Sequence, residues 1–192
     1  AGSALVRGDG RAWVMTLGTR GAVKMYADVD VQVIGGHAPF AVDDLEIHPY
    51  PVPHDARQPC QYVFHDGQMR LGVLSDAGCI TPHIRSMLAP CDGLAVEFNH
   101  DRDRLARGPY PQSLKTRVGG QLGHLSNCQS AGLLAEIGMA RLQHLVLAHL
   151  SEQNNSQALA RQAAATALDV DEDWVQIADQ DQGLDWRQLA PR

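Results

Sequence analysis

Imidazole and carboxylate groups stand at the ends of several apolar runs in this 192-residue chain. His54 follows Tyr50-Pro51-Val52-Pro53, and Asp76 follows Leu71-Gly72-Val73-Leu74-Ser75. Glu97, Asn99 and His100 follow Leu94-Ala95-Val96, and His149 follows Leu145-Val146-Leu147-Ala148. Short apolar runs of this kind read as buried strands, and the loops that leave one edge of a sheet are where functional groups gather. Four such strand ends can converge on one metal ion or a pair, and imidazole with carboxylate suits Zn, Mn or Fe. Each residue also has an ordinary reading when taken singly. Asp76 before Ala77-Gly78 makes an Asx turn, and His149 caps the loop Ser151-Glu152-Gln153-Asn154-Asn155. His83 belongs to the first turn of a helix. His37, His48, His65 and His144 have no strand-end setting and read as surface or satisfied core histidines.

The elements that must position these groups are legible in outline. Ala12–Met15 is a strand candidate, followed by a helical segment from Thr16 to about Met25. Val31–Ile34 and Leu45–Val52 read as strands separated by the turn signal Gly35-Gly36. Gln61–His65 and Met69–Leu74 flank Asp66-Gly67, the strongest hairpin signal in the chain. Beyond Asp76 strand and helix alternate. Thr81-Pro82 opens a helix to Leu88, Gly93–Glu97 is a strand, and two short helices follow it. Ser126 or Asn127 caps a helix to about Ile137, His144–Ala148 is a strand, Ser156–Leu168 is an Ala-rich helix, and Trp174–Ala178 is a last strand. Hairpins first and alternation afterwards predict an α/β or α+β layered domain.

Length allows one domain, 1–192. Hydrophobic residues at 44% and charged residues at 20% exclude a disordered chain, a fibre and a coiled coil. No apolar run approaches the ~18 residues needed to span a bilayer, so no membrane partner is expected. No signal peptide is visible, and four cysteines without CxxC spacing read as buried free thiols of a cytoplasmic protein. The net charge of −6 advertises no broad phosphate-binding surface. Arg102, Arg104, Arg107, Lys115 and Arg117 nevertheless form a locally basic segment, either a solvated helical face or a track for a nucleic-acid backbone. Gly35-Gly36 and Gly119-Gly120 fit no dinucleotide fingerprint or P-loop, and no G-x-S-x-G elbow exists.

Five segments in order carry a family resemblance: Pro51-Val52-Pro53-His54-Asp55-Ala56, Leu74-Ser75-Asp76-Ala77-Gly78, Glu97-Phe98-Asn99-His100-Asp101, Gly123-His124-Leu125-Ser126-Asn127 and Leu147–Asn155. Together they resemble the metallo-β-lactamase superfamily, specifically its YycJ/WalJ-type branch. The resemblance implies a four-layer αβ/βα sandwich with two divalent ions (Zn, Mn or Fe) at one edge of its sheets. His54, Asp76 and His149 would be metal ligands, with Asp76 bridging the ions. The branch is associated with 5′-to-3′ exonuclease activity, so the implied substrate is DNA and the reaction phosphodiester hydrolysis by an activated water. His100 and His124 would contact phosphate or protonate the leaving oxygen alongside Asp76 in catalysis, Asn99 and Asn155 would bind substrate, and Asn155 would also position the last loop. The superfamily's H-x-H-x-D-H signature is absent. In the family it directly precedes a segment resembling Gly2-Ser3-Ala4-Leu5-Val6, so the expectation is an N-terminally incomplete domain. Hydrolysis of a small ester, thioester or cyclic phosphate, or a non-catalytic module without metals, are the competing functions.

Overall fold

A computed structural model of the chain describes residues 4–6, 12–22 and 30–191. The chain runs β1 (Ala4–Val6), β2 (Ala12–Thr16), α1 (Leu17–Ala22), β3 (Asp30–Ile34), β4 (Phe40–Val42), β5 (Leu45–Pro51), β6 (Cys60–His65) and β7 (Arg70–Leu74). It continues through α2 (Pro82–Leu88), β8 (Gly93–Glu97), α3 (Arg102–Arg107), α4 (Gln112–Val118), α5 (Asn127–Ile137), β9 (His144–Ala148), α6 (Gln157–Leu168) and β10 (Gln176–Ile177). The sequence reading misses the short strands β1 and β4. Trp174 closes a 3₁₀ turn, Glu172–Trp174, instead of opening the last strand. Residues 1–3 and the predicted end of the first helix at Met25 lie outside the described residues.

Among the described residues the strands form a three-stranded sheet, β1-β2-β3, and a seven-stranded sheet in the order β10-β9-β8-β7-β6-β5-β4. Strands β4 to β7 pair antiparallel, whereas β7, β8, β9 and β10 run parallel. The change follows from the connections. Asp66-Gly67 permits a tight reversal, with Gly67 at φ 93°, the Asp66 carboxylate taking the N–H groups of Gln68 and Met69. After β7 every return passes through helices, as parallel pairing requires.

Register sorts the core. Val63 pairs with Gly72, Gly72 with Leu94, and Leu94 with Leu145. Alternation therefore puts Val63, Leu74, Leu94, Val96, Leu145 and Leu147 on one face, packed with Ile84 and Leu88 of α2, Leu133 and Leu134 of α5, and the alanines of α6. Gly72 lets α2 approach, since a Cβ there would lie 2.6 Å from Leu88 Cδ2. On the other face Ile47, Cys60 and Tyr62 pack against Val14 and Ile34 of the small sheet. These contacts define a helix layer, a large sheet and a small sheet, the mixed α/β layering expected. No helix among the described residues is long and apolar enough to cross a membrane.

The cysteines divide by position. Cys60 and Cys91 are buried, Cys79 is partly covered and Cys128 is exposed on α5, which corrects the reading of all four as buried. Burial raises the Cys60 thiol pKa and pushes that of Cys91 up to about 12. In the native chain a neutral-pH thiol reagent will label Cys128 first and leave Cys60 and Cys91 unlabelled until urea is added. Mass mapping of the adducts checks this, and early labelling of Cys91 would contradict the packing.

Candidate metal centre

Because β7, β8 and β9 are parallel, their carboxyl ends share one edge of the sheet, where open α/β sheets gather ligands. Glu97 is the last residue of β8, Asp76 lies two residues beyond β7, and His149 directly follows β9. Asp76 and His149 both adopt left-handed backbone conformations, φ 51° and 57°. Non-glycine residues rarely do so, and such positions cluster where the surrounding structure dictates geometry for function.

Glu97 is fully buried. A buried carboxylate must be compensated, and its partners are three. Its Oε2 accepts the Ala77 N–H at 3.0 Å. Its Oε1 lies 2.7 Å from His124 Nδ1 and 3.0 Å from His149 Nδ1. Burial opposes ionisation of Glu97, but the donors from His124, His149 and Ala77 outweigh it and hold the pKa below the ordinary carboxylate value. The same hydrogen bond raises the pKa of His149 against the effect of burial. Asp76 Oδ1 sits 3.4 Å from His149 Nδ1 and 3.7 Å from His124 Nδ1. Ser75 Oγ lies 3.1 Å from His149 Nδ1. Asp76, Glu97, His124 and His149 each place a donor atom within 4.8 Å of the others, a carboxylate and imidazole set that suits a divalent transition ion.

His54 comes from the loop after β5. Its Nδ1 donates to the Gly123 carbonyl at 3.1 Å, which leaves the lone pair on Nε2. Its ring centroid lies 5.2 Å from that of His124, whose ring in turn lies 5.1 Å from that of His149. His54, Asp76, His124 and His149 line one cavity of about 400 Å³, with Asp55 and Arg117 also on its wall. Arg117 Nε donates to Asp55 Oδ2 at 2.6 Å. On the far side of His149 lies a second cavity of about 450 Å³ lined by Arg104, Ser151, Asn155 and Asp179.

The remaining expected site residues are placed differently. His100 is buried, Nδ1 makes no hydrogen bond, and burial pulls its pKa down to about 4. It lines a separate cavity with Arg102 and Lys115. Asn99 donates Nδ2 to the His149 carbonyl at 3.1 Å. Asn155 donates to the Phe98 carbonyl and exchanges hydrogen bonds with Asn127. The Asn155 amide is thus engaged at both ends, and the Asn99 Nδ2 is engaged by backbone. The sequence put Glu97 among the strand-end groups that can converge on a metal, but the family resemblance gave it no part in the site.

The His124 loop is held by close backbone approach. His124 N–H donates to Val118 O at 2.8 Å, Asp55 N–H to Leu122 O at 3.0 Å and Gly78 N–H to Pro53 O at 2.8 Å. A Cβ on Gly123 would lie 2.1 Å from Arg117 O and 2.3 Å from Val118 O. Only glycine fits.

Similar proteins extend the picture. No family model matches the chain. It is 32% identical over 126 residues to "Exodeoxyribonuclease YycJ" of Bacillus anthracis, a match covering 66% of this chain and 48% of the relative. It is 33% identical over 125 residues to "Exodeoxyribonuclease WalJ" of Streptococcus pneumoniae, covering 65% and 46%. The chain thus spans about half the length of the curated relatives it matches. Among solved structures, Zn(2+)-bound PqqB from Methylobacterium extorquens superimposes with a TM-score of 0.67 at 19% identity, over 94% of this chain and 67% of that one. The metallo-β-lactamase fold protein YhfI from Bacillus subtilis gives 0.66 at 16% identity, over 88% and 59%. A diphosphatase of the PhnP family gives 0.54 at 18%, over 82% and 48%.

Gly123→Ala will force the 118–124 backbone apart and destabilise the chain by about 1–3 kcal/mol, the usual range for overpacking. Gly132→Ala is the contrast. It sits in α5 with nothing within 4 Å of its Cβ position, and will stabilise by about 0.5–1 kcal/mol. Urea unfolding of the two variants checks both signs.

Proposed function

We propose that this chain, which has the metallo-β-lactamase fold and is related to the YycJ/WalJ exodeoxyribonucleases, carries the hydrolytic centre of a metal-dependent phosphodiesterase acting on DNA. The observation that carries the reading is the convergence of Asp76, Glu97, His124 and His149 at the carboxyl edge of three parallel strands. Their donor set fits a divalent ion. Asp76 and His149 of that set, with His54 from the same cavity, would hold it; a fold neighbour is Zn(2+)-bound, the donor types suit Zn or Mn, and two ions are the fuller form of the proposal. A divalent ion bound there would supply Lewis-acid polarisation of a phosphoryl oxygen and a source of reactive water near neutral pH.

The chain's own residues do the rest. Glu97 fixes both imidazoles through Nδ1, so that Nε2 of His124 and of His149 remains for the cavity. His124, with the buried carboxylate behind it, is suited to give a proton to the departing oxygen. Asn99 acts on the site by clamping the His149 carbonyl, and Asn155 by tying the end of β8 to α5. His100, neutral at neutral pH, fits a hydrogen-bonding contact to substrate from its own separate cavity better than a charge contact. Two cavities meeting at His149, one walled by Arg117 and the other by Arg104, favour an extended anionic substrate over a small ester.

Asp76→Ala will lose bound divalent metal, read by elemental analysis, and with it hydrolysis of end-labelled DNA. Unchanged metal content would sink the ligand assignment. His124→Ala will keep its metal and lower turnover by roughly 10²–10⁴-fold, the range for a lost general acid. Full activity on DNA in that variant would remove His124 from the chemistry, and activity on a small ester but not on DNA would favour the competing substrate class.

A further inference from the structure

We propose a second divalent-metal site on the β5–β6 hairpin, built by Glu46, His48 and His65 at the opposite end of the sheet from the centre described above. Register brings the three together. Glu46 pairs directly with His65, and His48 stands two residues further along β5, so period-2 alternation puts all three on one face. Glu46 Oε2 lies 3.1 Å from His48 Nε2 and 3.7 Å from His65 Nδ1. The three donor atoms fall within 4.8 Å of one another.

Those separations are the ones a small metal ion needs. Ligands at ~2.1 Å from an ion stand ~3.0 Å apart when octahedral neighbours and ~3.4 Å apart when tetrahedral. The two pairs made by Glu46, at 3.1 and 3.7 Å, therefore need shifts of only a few tenths of an ångström. His48 Nε2 is buried yet makes no hydrogen bond, although the Glu46 carboxylate is close by, because the contact is poorly directed. A bound ion would use that nitrogen. The imidazoles are about one-fifth exposed and Glu46 about half, so one hemisphere stays open to water. Two imidazoles and one carboxylate on a face with open positions select a transition ion over Mg or Ca.

The site is separate from the first. Glu46 lies five residues before Pro51, the end of β5 that leads to His54, or ~17 Å along an extended strand. Arg70 pairs with His65 across β7, and its positive charge weakens binding of a cation. The hairpin site is therefore the weaker of the two.

Zn(2+) titration of the chain against a chromophoric chelator tests this directly. The chain will bind one equivalent that survives Asp76→Ala. Adding His48→Gln, or separately Glu46→Gln, will weaken that remaining equivalent by ~10-fold or more, as loss of one ligand does. His48→Gln alone, in an otherwise unchanged chain, will lower the Zn(2+) count by that equivalent while DNA hydrolysis is kept, which covers the case that Asp76→Ala does not fold. Cu(2+) bound at the site will show imidazole nitrogen couplings in its spin-resonance spectrum that the His65→Gln variant reduces. Equal Zn(2+) stoichiometry and affinity with and without His48 and His65 would overturn the proposal, leaving the three residues as a hydrogen-bonded surface cluster.

Discussion

The buried carboxylate of Glu97 is the constraint on which the rest of the site depends. A charge at the end of the central parallel strand, with no solvent contact, is tolerable only if donors surround it. This chain supplies them from three different loops: the Ala77 N–H after β7, His124 from the segment between α4 and α5, and His149 after β9. Each loop is thereby tied to the same point. Removing the carboxylate would leave two imidazoles and a backbone N–H to find new positions, so its effect would exceed that of any one hydrogen bond. Glu97 is a positioning residue that acts on His124 and His149, both of which face the cavity.

Backbone geometry does the complementary work. Asp76 and His149 need φ near +50° to turn their side chains back over the sheet edge, a conformation that costs free energy in any residue bearing a Cβ. The cost is offset by the contacts those side chains make with each other, with Glu97 and with Ser75. Gly78 and Gly123 serve a different need. Their loops pass so close to neighbouring backbone that no Cβ fits, and this proximity is what keeps the His54 and His124 segments hydrogen-bonded to one another. Left-handed backbone at Asp76 and His149 and close approach at two glycines are two parts of one arrangement.

Most strands and helices of the large sheet could be read from the sequence because their patterns are local. Asp66-Gly67, Thr81-Pro82 and the apolar runs at 93–97 and 144–148 each announce an element without reference to the rest of the fold. The strand-end positions of Asp76, Glu97 and His149 followed from the same local patterns, and a parallel sheet then brings them to one edge. What the sequence hid was non-local. β4 is three residues long and exists by pairing with β5. Glu97 looked like one polar residue among several, and its burial shows only once β8 has neighbours on both sides. Asn99 and Asn155 read as substrate-binding groups, Asn155 also as a loop positioner, and the hydrogen bonds by which they tie loops together are likewise non-local. The cluster of Glu46, His48 and His65 escaped because cross-strand register, not spacing along the chain, assembles it.

The two histidine clusters show why residue type alone does not assign chemistry. Around Glu97 the carboxylate is sealed from water, the imidazoles donate to it through Nδ1, and both rings line a cavity with Arg117 on its wall. Around Glu46 the carboxylate is half in solvent, and the nearness of His48, and then of His65, lowers its pKa. The first environment fixes geometry before anything binds, which is what rate acceleration by electrostatic preorganisation requires. The second is loose and open, so it can take up an ion but has no means of orienting a substrate against it. That physical difference is why the proposed reaction is placed at the sheet's carboxyl edge and only the proposed ion binding at the hairpin.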